Sequence, residues 1–140
     1  LIAFSNREAA MKLVVAYEGT NAGERALALA GDRAKLFQAK VYVVTSLVGG
    51  NDSPLEVIED AKQNLEHAGS VLDDLGVTNE THLLVRGMTA GEDIVQFAEE
   101  VGANEIILGI RRRSKVGKLL FGSTAQHIIL NAPCPVVTIR

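Results

Sequence analysis

Residues 12–17 read Lys-Leu-Val-Val-Ala-Tyr, a short apolar run with β-branched side chains at its centre. A run of this length and composition predicts a strand covered on both faces. Reading outward from it, Asn21 stands three residues before Glu24 and marks a cap for a helix over residues 24–39. Residues 40–47 (Lys-Val-Tyr-Val-Val-Thr-Ser-Leu) repeat the strand pattern, and Gly49-Gly50-Asn51-Asp52 forms a loop. Ser53-Pro54-Leu55-Glu56 predicts a helix start, with serine as cap, proline first and glutamate third, and the amphipathic pattern runs to Leu75. Residues 81–86 predict a third strand. Thr89 and Glu92 form a capping box for a helix through Val101. Glu105-Ile-Ile-Leu-Gly109 predicts a fourth strand, Ser123 and Gln126 a cap for a helix through Leu130, and residues 135–140 a fifth strand.

Strand and helix alternate throughout, and the strands are near-continuous apolar runs. That combination predicts a parallel five-stranded sheet inside a three-layer αβα sandwich. Right-handed crossovers leave two strand orders, 3-2-1-4-5 and 2-1-3-4-5. In either, a ligand binds beyond the carboxyl ends of the strands, where the order reverses. In the first order the crevice lies between strands one and four, beside Glu18-Gly19-Thr20 and the stretch after Leu108.

A chain of 140 residues with 47% hydrophobic content suits one domain with a sizeable core. Residues 1–10 precede the periodic pattern and read as an extension, with the domain over residues 11–140. No apolar run approaches the roughly 20 residues of a membrane span, and no signal-peptide pattern is visible. The single cysteine, Cys134, excludes an internal disulfide framework and a cysteine-rich zinc site. The expectation is a reducing, cytoplasmic setting. Net charge is −3, yet no acidic residue follows Glu105, and Arg111, Arg112, Arg113, Lys115, Lys118 and Arg140 all do. A local basic cluster on an acidic chain points to a discrete anionic ligand rather than a nucleic acid.

The basic segment carries the chemistry. Gly109 ends a strand, the cations follow, and Gly122-Ser123-Thr124 opens a helix. Backbone N–H groups at a helix start attract anions. Gly122 leaves room for a phosphate to approach, Ser123 and Thr124 offer hydroxyls, and Arg112 or Lys115 can neutralise charge. Ser123 with Gln126 is also an ordinary capping box, and Gly109 an ordinary turn glycine.

Other constellations fail on residue type. A P-loop needs G-x-x-x-x-G-K-[ST]; ahead of Gly117-Lys118 stands Arg112, and Leu119 follows. Residues 18–23 lack G-x-G-x-x-G, and Arg86-Gly87 stands where a receiver domain carries its aspartate. His67, His82 and His127 lie on three separate elements without ligand spacing, and Cys134 reads as a structural thiol. Glu18 is the one acid placed in the crevice, so no catalytic residue and no resident metal is assigned.

The spacing of Gly109 and Gly122-Ser123 resembles the nucleotide loop of the universal stress protein family, whose ATP-binding members read G-x2-G-x9-G-[ST]. Arg112 occupies the second glycine position, a departure that either supplies a guanidinium to phosphate or closes the site. Glu18-Gly19-Thr20 resembles the family's V-D-G-S, and Ala132-Pro133-Cys134-Pro135-Val136-Val137 its entry to the last strand. The resemblance runs from Met11 to the end. It implies the 3-2-1-4-5 order, an ATP site with Mg2+, and a stress-response role without enzymatic turnover beyond slow, incidental hydrolysis. It places Glu18 near the ribose or metal, with Ala16 and Tyr17 before it, and Ser46 by the adenine. It also implies a homodimer through the last strand, with Val136, Val137 and Ile139 at the edge. The alternative is a dimeric interaction module whose site Arg112 shuts.

Overall fold

The computed structural model describes residues 10–49, 52–111 and 122–140. Its elements follow in the order β1 (Lys12–Ala16), α1 (Asn21–Phe37), β2 (Lys40–Ser46), α2 (Leu55–Asp74), β3 (Asn79–Leu84), α3 (Ala90–Val101), β4 (Glu105–Gly109), α4 (Ser123–Asn131) and β5 (Val136–Ile139). All pairings are parallel, and the sheet order is β3-β2-β1-β4-β5. Of the two orders that the sequence left open, the structure adopts 3-2-1-4-5.

Strand alternation splits the core in two. Leu13, Val15, Val41, Val43 and Ile107 face α1 and α2, where they meet Leu27, Ala30, Leu65, Ala68 and Leu72. Val14, Tyr42, Val44, Ile106 and Leu108 face α3 and α4, where they meet Ile94, Phe97, Ala98 and Ile128. Burying each large aliphatic side chain contributes about 1.5–3 kcal/mol. The buried face of α1 consists largely of Ala22, Gly23, Ala26, Ala30, Gly31 and Ala34, so this helix lies close to the sheet. Arg33 on α1 donates to both carboxylate oxygens of Glu105 on β4, at 2.9 and 2.6 Å, which fixes the helix along the strand.

Several boundaries differ from the sequence expectation, each for a local reason. Thr20, not Asn21, caps α1: its backbone is extended and its hydroxyl accepts from Gly23 N–H at 3.0 Å. Pro54 is extended at the start of α2, so Leu55 is the first helical residue and Ser53 makes no capping bond. Strand β3 begins earlier than expected because polar Asn79 and Glu80 pair with Val41 and Tyr42, and an edge strand tolerates polar side chains. It ends earlier because Arg86 turns back towards α3. The Thr89–Glu92 capping box forms, with Glu92 N–H donating to the Thr89 hydroxyl at 3.3 Å. At α4, Gly122 is the cap and Ser123 the first helical residue; the Gln126 N–H bonds to Gly122 C=O at 3.0 Å, and among the described residues no side chain caps the helix.

Candidate functional site

At the carboxyl ends of β1 and β4 the chain directions diverge, and a cavity of about 500 Å³ opens there on the α3/α4 side. That volume falls in the usual range for small-molecule sites. Its lining includes Ala16, Tyr17, Glu18, Ser46, Gly109, Gly122, Ser123 and Thr124, all eight of the expected site residues that the structure describes. Arg112 and Lys115 lie outside the described residues.

The lining divides into an apolar part and a polar part. Val44, Ile94, Leu108, Ile110, Ala90 and Ala125 supply apolar surface, while Glu18, Ser46, Arg111, Ser123 and Thr124 supply polar groups. Glu18 is exposed. Tyr17 is buried, and its hydroxyl donates to Glu24 on α1. Burial, and then that hydrogen bond, push its ionisation well above the ordinary phenol range. The Tyr17 side chain belongs to the α1/α2 core, so the residue serves the site chiefly by its place in the chain. Thr45 donates to Tyr17 C=O at 2.6 Å, which ties the β1 exit to β2 and fixes where Glu18 emerges.

Two glycines shape the cavity by different means. A Cβ on Gly109 would lie 2.2 Å from Ala22 C=O, so this glycine lets the first turn of α1 sit against β4. Among the described residues, a Cβ on Gly122 would meet nothing within 4 Å beside the start of α4. The first N–H groups of that helix have no intrahelical partner and carry its positive dipole end. A second, more open cavity lies on the α1 side of Ile110 and Arg111, and Arg25, Arg111 and Arg140 line it, so the rim is cationic.

Sequence reasoning missed Asp93 and Arg86. Asp93, on the first turn of α3, is fully buried. It accepts from Ser46 Oγ at 2.7 Å and from Arg86 Nε at 2.6 Å. Arg86 also donates to Glu100 at 2.7 Å. The available signal was an acid inside the apolar stripe Ala90, Ile94, Phe97, Ala98 and Val101. Among the described residues no cluster of three or more His, Cys, Asp or Glu side chains could hold a metal, and no helix is long and apolar enough to cross a membrane.

The model of the universal stress protein family matches residues 10–140. The chain belongs to the universal stress protein family. A universal stress protein of Thermus aquaticus is 34% identical over 134 residues, covering 91% of this chain and 97% of its own length. A universal stress protein from Archaeoglobus fulgidus is 44% identical with a TM-score of 0.84, covering 94% of this chain and 98% of that one. An Archaeoglobus fulgidus universal stress protein in complex with dAMP is 40% identical with a TM-score of 0.79, over the same shares of each chain. The family resemblance expected from Gly109, Gly122-Ser123 and the final strand is therefore established, as is the αβα fold. In this universal stress protein domain, the cavity stands at the switch point of the sheet.

Proposed function

We propose that this protein is an adenine-nucleotide-binding module of the universal stress protein type, acting by ligand-dependent change of its surface rather than by turnover. The observation that carries the reading is the cavity at the β1/β4 switch point. It joins apolar walls to the start of α4, in a chain 40% identical to a relative in complex with dAMP. Ala16, Val44 and Ile94 suit a flat apolar base, Glu18 the ribose, and Ser123, Thr124 and the neighbouring N–H groups the phosphates. Gly109 sets the floor. Arg112 and Lys115, outside the described residues, would offset the negative charge of the ATP phosphates, with Mg2+ supplied from solution.

Calorimetric titration of nucleotide-stripped protein with ATP and Mg2+ tests this. Micromolar binding that Gly122→Val abolishes supports the reading; a silent titration refutes it for the chain as it stands. In that case Arg112→Gly discriminates further: gain of binding identifies Arg112 as a plug, and the protein then acts as an interaction module.

The assembly is part of the proposal. β5 is an edge strand, and Val136, Val137 and Ile139 are half-buried along it. Pairing with the same strand of a second copy would satisfy its outward backbone groups. Light scattering at micromolar concentration should give a dimer mass; a monomer would contradict the arrangement. The proposed setting is the cytoplasm, with Cys134 kept as a free thiol, and the proposed role is in the stress response that gives the family its name.

A further inference from the structure

We propose that the second cavity, on the α1 side of Ile110 and Arg111, is an anion site of its own and takes a small anion with two linked phosphate groups. This site is distinct from the switch-point cavity, and its occupancy does not depend on the nucleotide reading.

The arginines point to it. Arg25, Arg33, Arg86, Arg111 and Arg140 are the arginines among the described residues. Arg33 is committed to Glu105, and Arg86 to Asp93 and Glu100. Among the described residues Arg25, Arg111 and Arg140 form no ion pair, and all of them line this one cavity. They arrive from separate segments: the N-terminal part of α1, the exit of β4 and the end of β5. No acidic side chain lies among the described lining residues, although the chain as a whole carries a net charge of −3. Like charges gathered without a counter-charge repel one another, and an anion between them removes that cost. Guanidinium is the side chain best matched to phosphate, because its fork donates to two oxygens at once.

Neutral groups extend the same polarity. Thr20 caps α1 by accepting from Gly23 N–H at 3.0 Å, so its own hydroxyl proton remains to donate. The Asn21 and Ala22 N–H groups precede the first intrahelical bond, which runs from Glu24 N–H to Thr20 C=O at 2.8 Å. Thr20, Asn21 and Ala22 all line the cavity. Its volume of about 860 Å³ exceeds what a single phosphate ion needs and lies within the usual range of small-molecule sites. Cations from three segments around a space of this size suit two linked phosphates better than one. Only Ile110 and Arg111 line both cavities; Gly122, Ser123 and Thr124 line the first alone.

The test is a calorimetric titration of the full chain with inorganic pyrophosphate, without nucleotide, in about 0.15 M salt so that diffuse attraction is largely screened. The wild type should bind one pyrophosphate per chain, roughly tenfold or more tighter than orthophosphate. Arg25→Ala and Arg140→Ala, both at exposed positions, should each weaken binding by about tenfold, the worth of one charge-assisted hydrogen bond. Lys62→Ala, exposed on α2, removes the same charge elsewhere and should leave the affinity within about twofold. Gly122→Val, which fills the first cavity beside α4, should keep pyrophosphate binding. Circular dichroism checks that each variant is folded. Absence of heat with the wild type, or equal affinity for orthophosphate, would overturn the proposal. So would equal losses in Lys62→Ala and Arg25→Ala, which would reduce the effect to net charge. Loss of binding in Gly122→Val would overturn it too, by assigning the anion to the first cavity. None of these outcomes bears on whether ATP binds, which the ATP titration decides separately.

Discussion

Replacing Gly109 with alanine should damage the fold before it affects any ligand. The new Cβ would stand 2.2 Å from the oxygen and 2.5 Å from the carbon of the Ala22 carbonyl. Comfortable C···O contacts begin at about 3.3 Å, so β4 and the first turn of α1 must part by about 1 Å. Both contacts are backbone, and no rotamer change relieves them. The displaced helix packs through Ala22, Gly23, Ala26, Ala30 and Gly31, and these small side chains cannot reach across a widened gap. Overpacking of this kind costs about 1–3 kcal/mol, sometimes more. Since Gly109 meets backbone on a helix that the Arg33–Glu105 pair also fixes, a value near the upper end, about 3 kcal/mol, is expected. For a domain of this size that lowers Tm by roughly 6–12 °C. Urea unfolding followed by circular dichroism measures it, with Gly122→Ala as control. Gly122 has φ −65° and no described neighbour within 4 Å of its Cβ position, so its variant should stay within about 0.5 kcal/mol of wild type. Equal stability of Gly109→Ala and wild type would refute the packing argument and return Gly109 to a role at the ligand alone.

Gly91→Ala should destabilise by roughly 0.5–2 kcal/mol, because its Cβ would come 2.8 Å from His127 Cβ and force α4 away from α3, partly offset by alanine's better helix propensity. The same shift moves the start of α4, so weaker ATP binding by calorimetry should accompany it; an unchanged urea midpoint and affinity would show that His127 yields freely. Tyr17→Phe should cost about 0.5–1.5 kcal/mol at neutral pH through loss of the hydrogen bond to Glu24. It should also change the alkaline limb. The native Tyr17 ionisation is raised, first by burial and then by Glu24, so its contribution is complete below the unfolded phenol value of about 10 and falls above it. Wild-type stability should therefore drop above about pH 10 by up to ~1.4 kcal/mol per pH unit from this group, and the variant's should drop less; parallel curves would contradict the assignment.

The fold was legible because its evidence is periodic. Five short strand runs, the first four each followed by a helical pattern, allow little besides a covered parallel sheet. The boundaries were less legible because they depend on single backbone conformations. Pro54 and Gly122 are extended where the residue types suggested that Ser53 and Ser123 should cap. Strand β3 begins in polar Asn79 and Glu80, and at an edge the ladder with β2 rather than side-chain burial decides the conformation.

The site was legible by spacing and illegible by role. Gly109 and Gly122 look alike in a motif, yet one accommodates the Ala22 carbonyl and the other has no described neighbour within 4 Å of its Cβ position. Only the packing of α1 on β4 distinguishes them, and that contact joins residues 87 positions apart in the chain. Asp93 illustrates the converse. Its sequence neighbours suggest a first-turn acid matched to the helix dipole, an exposed role worth a few tenths of a kcal/mol. Full burial between Ser46 and Arg86 gives it another: three segments, the β2 end, the β3 exit and α3, converge on one carboxylate. With one oxygen on Ser46 and the other on Arg86, the acid ties together segments far apart in the chain, which no pattern within α3 alone could reveal.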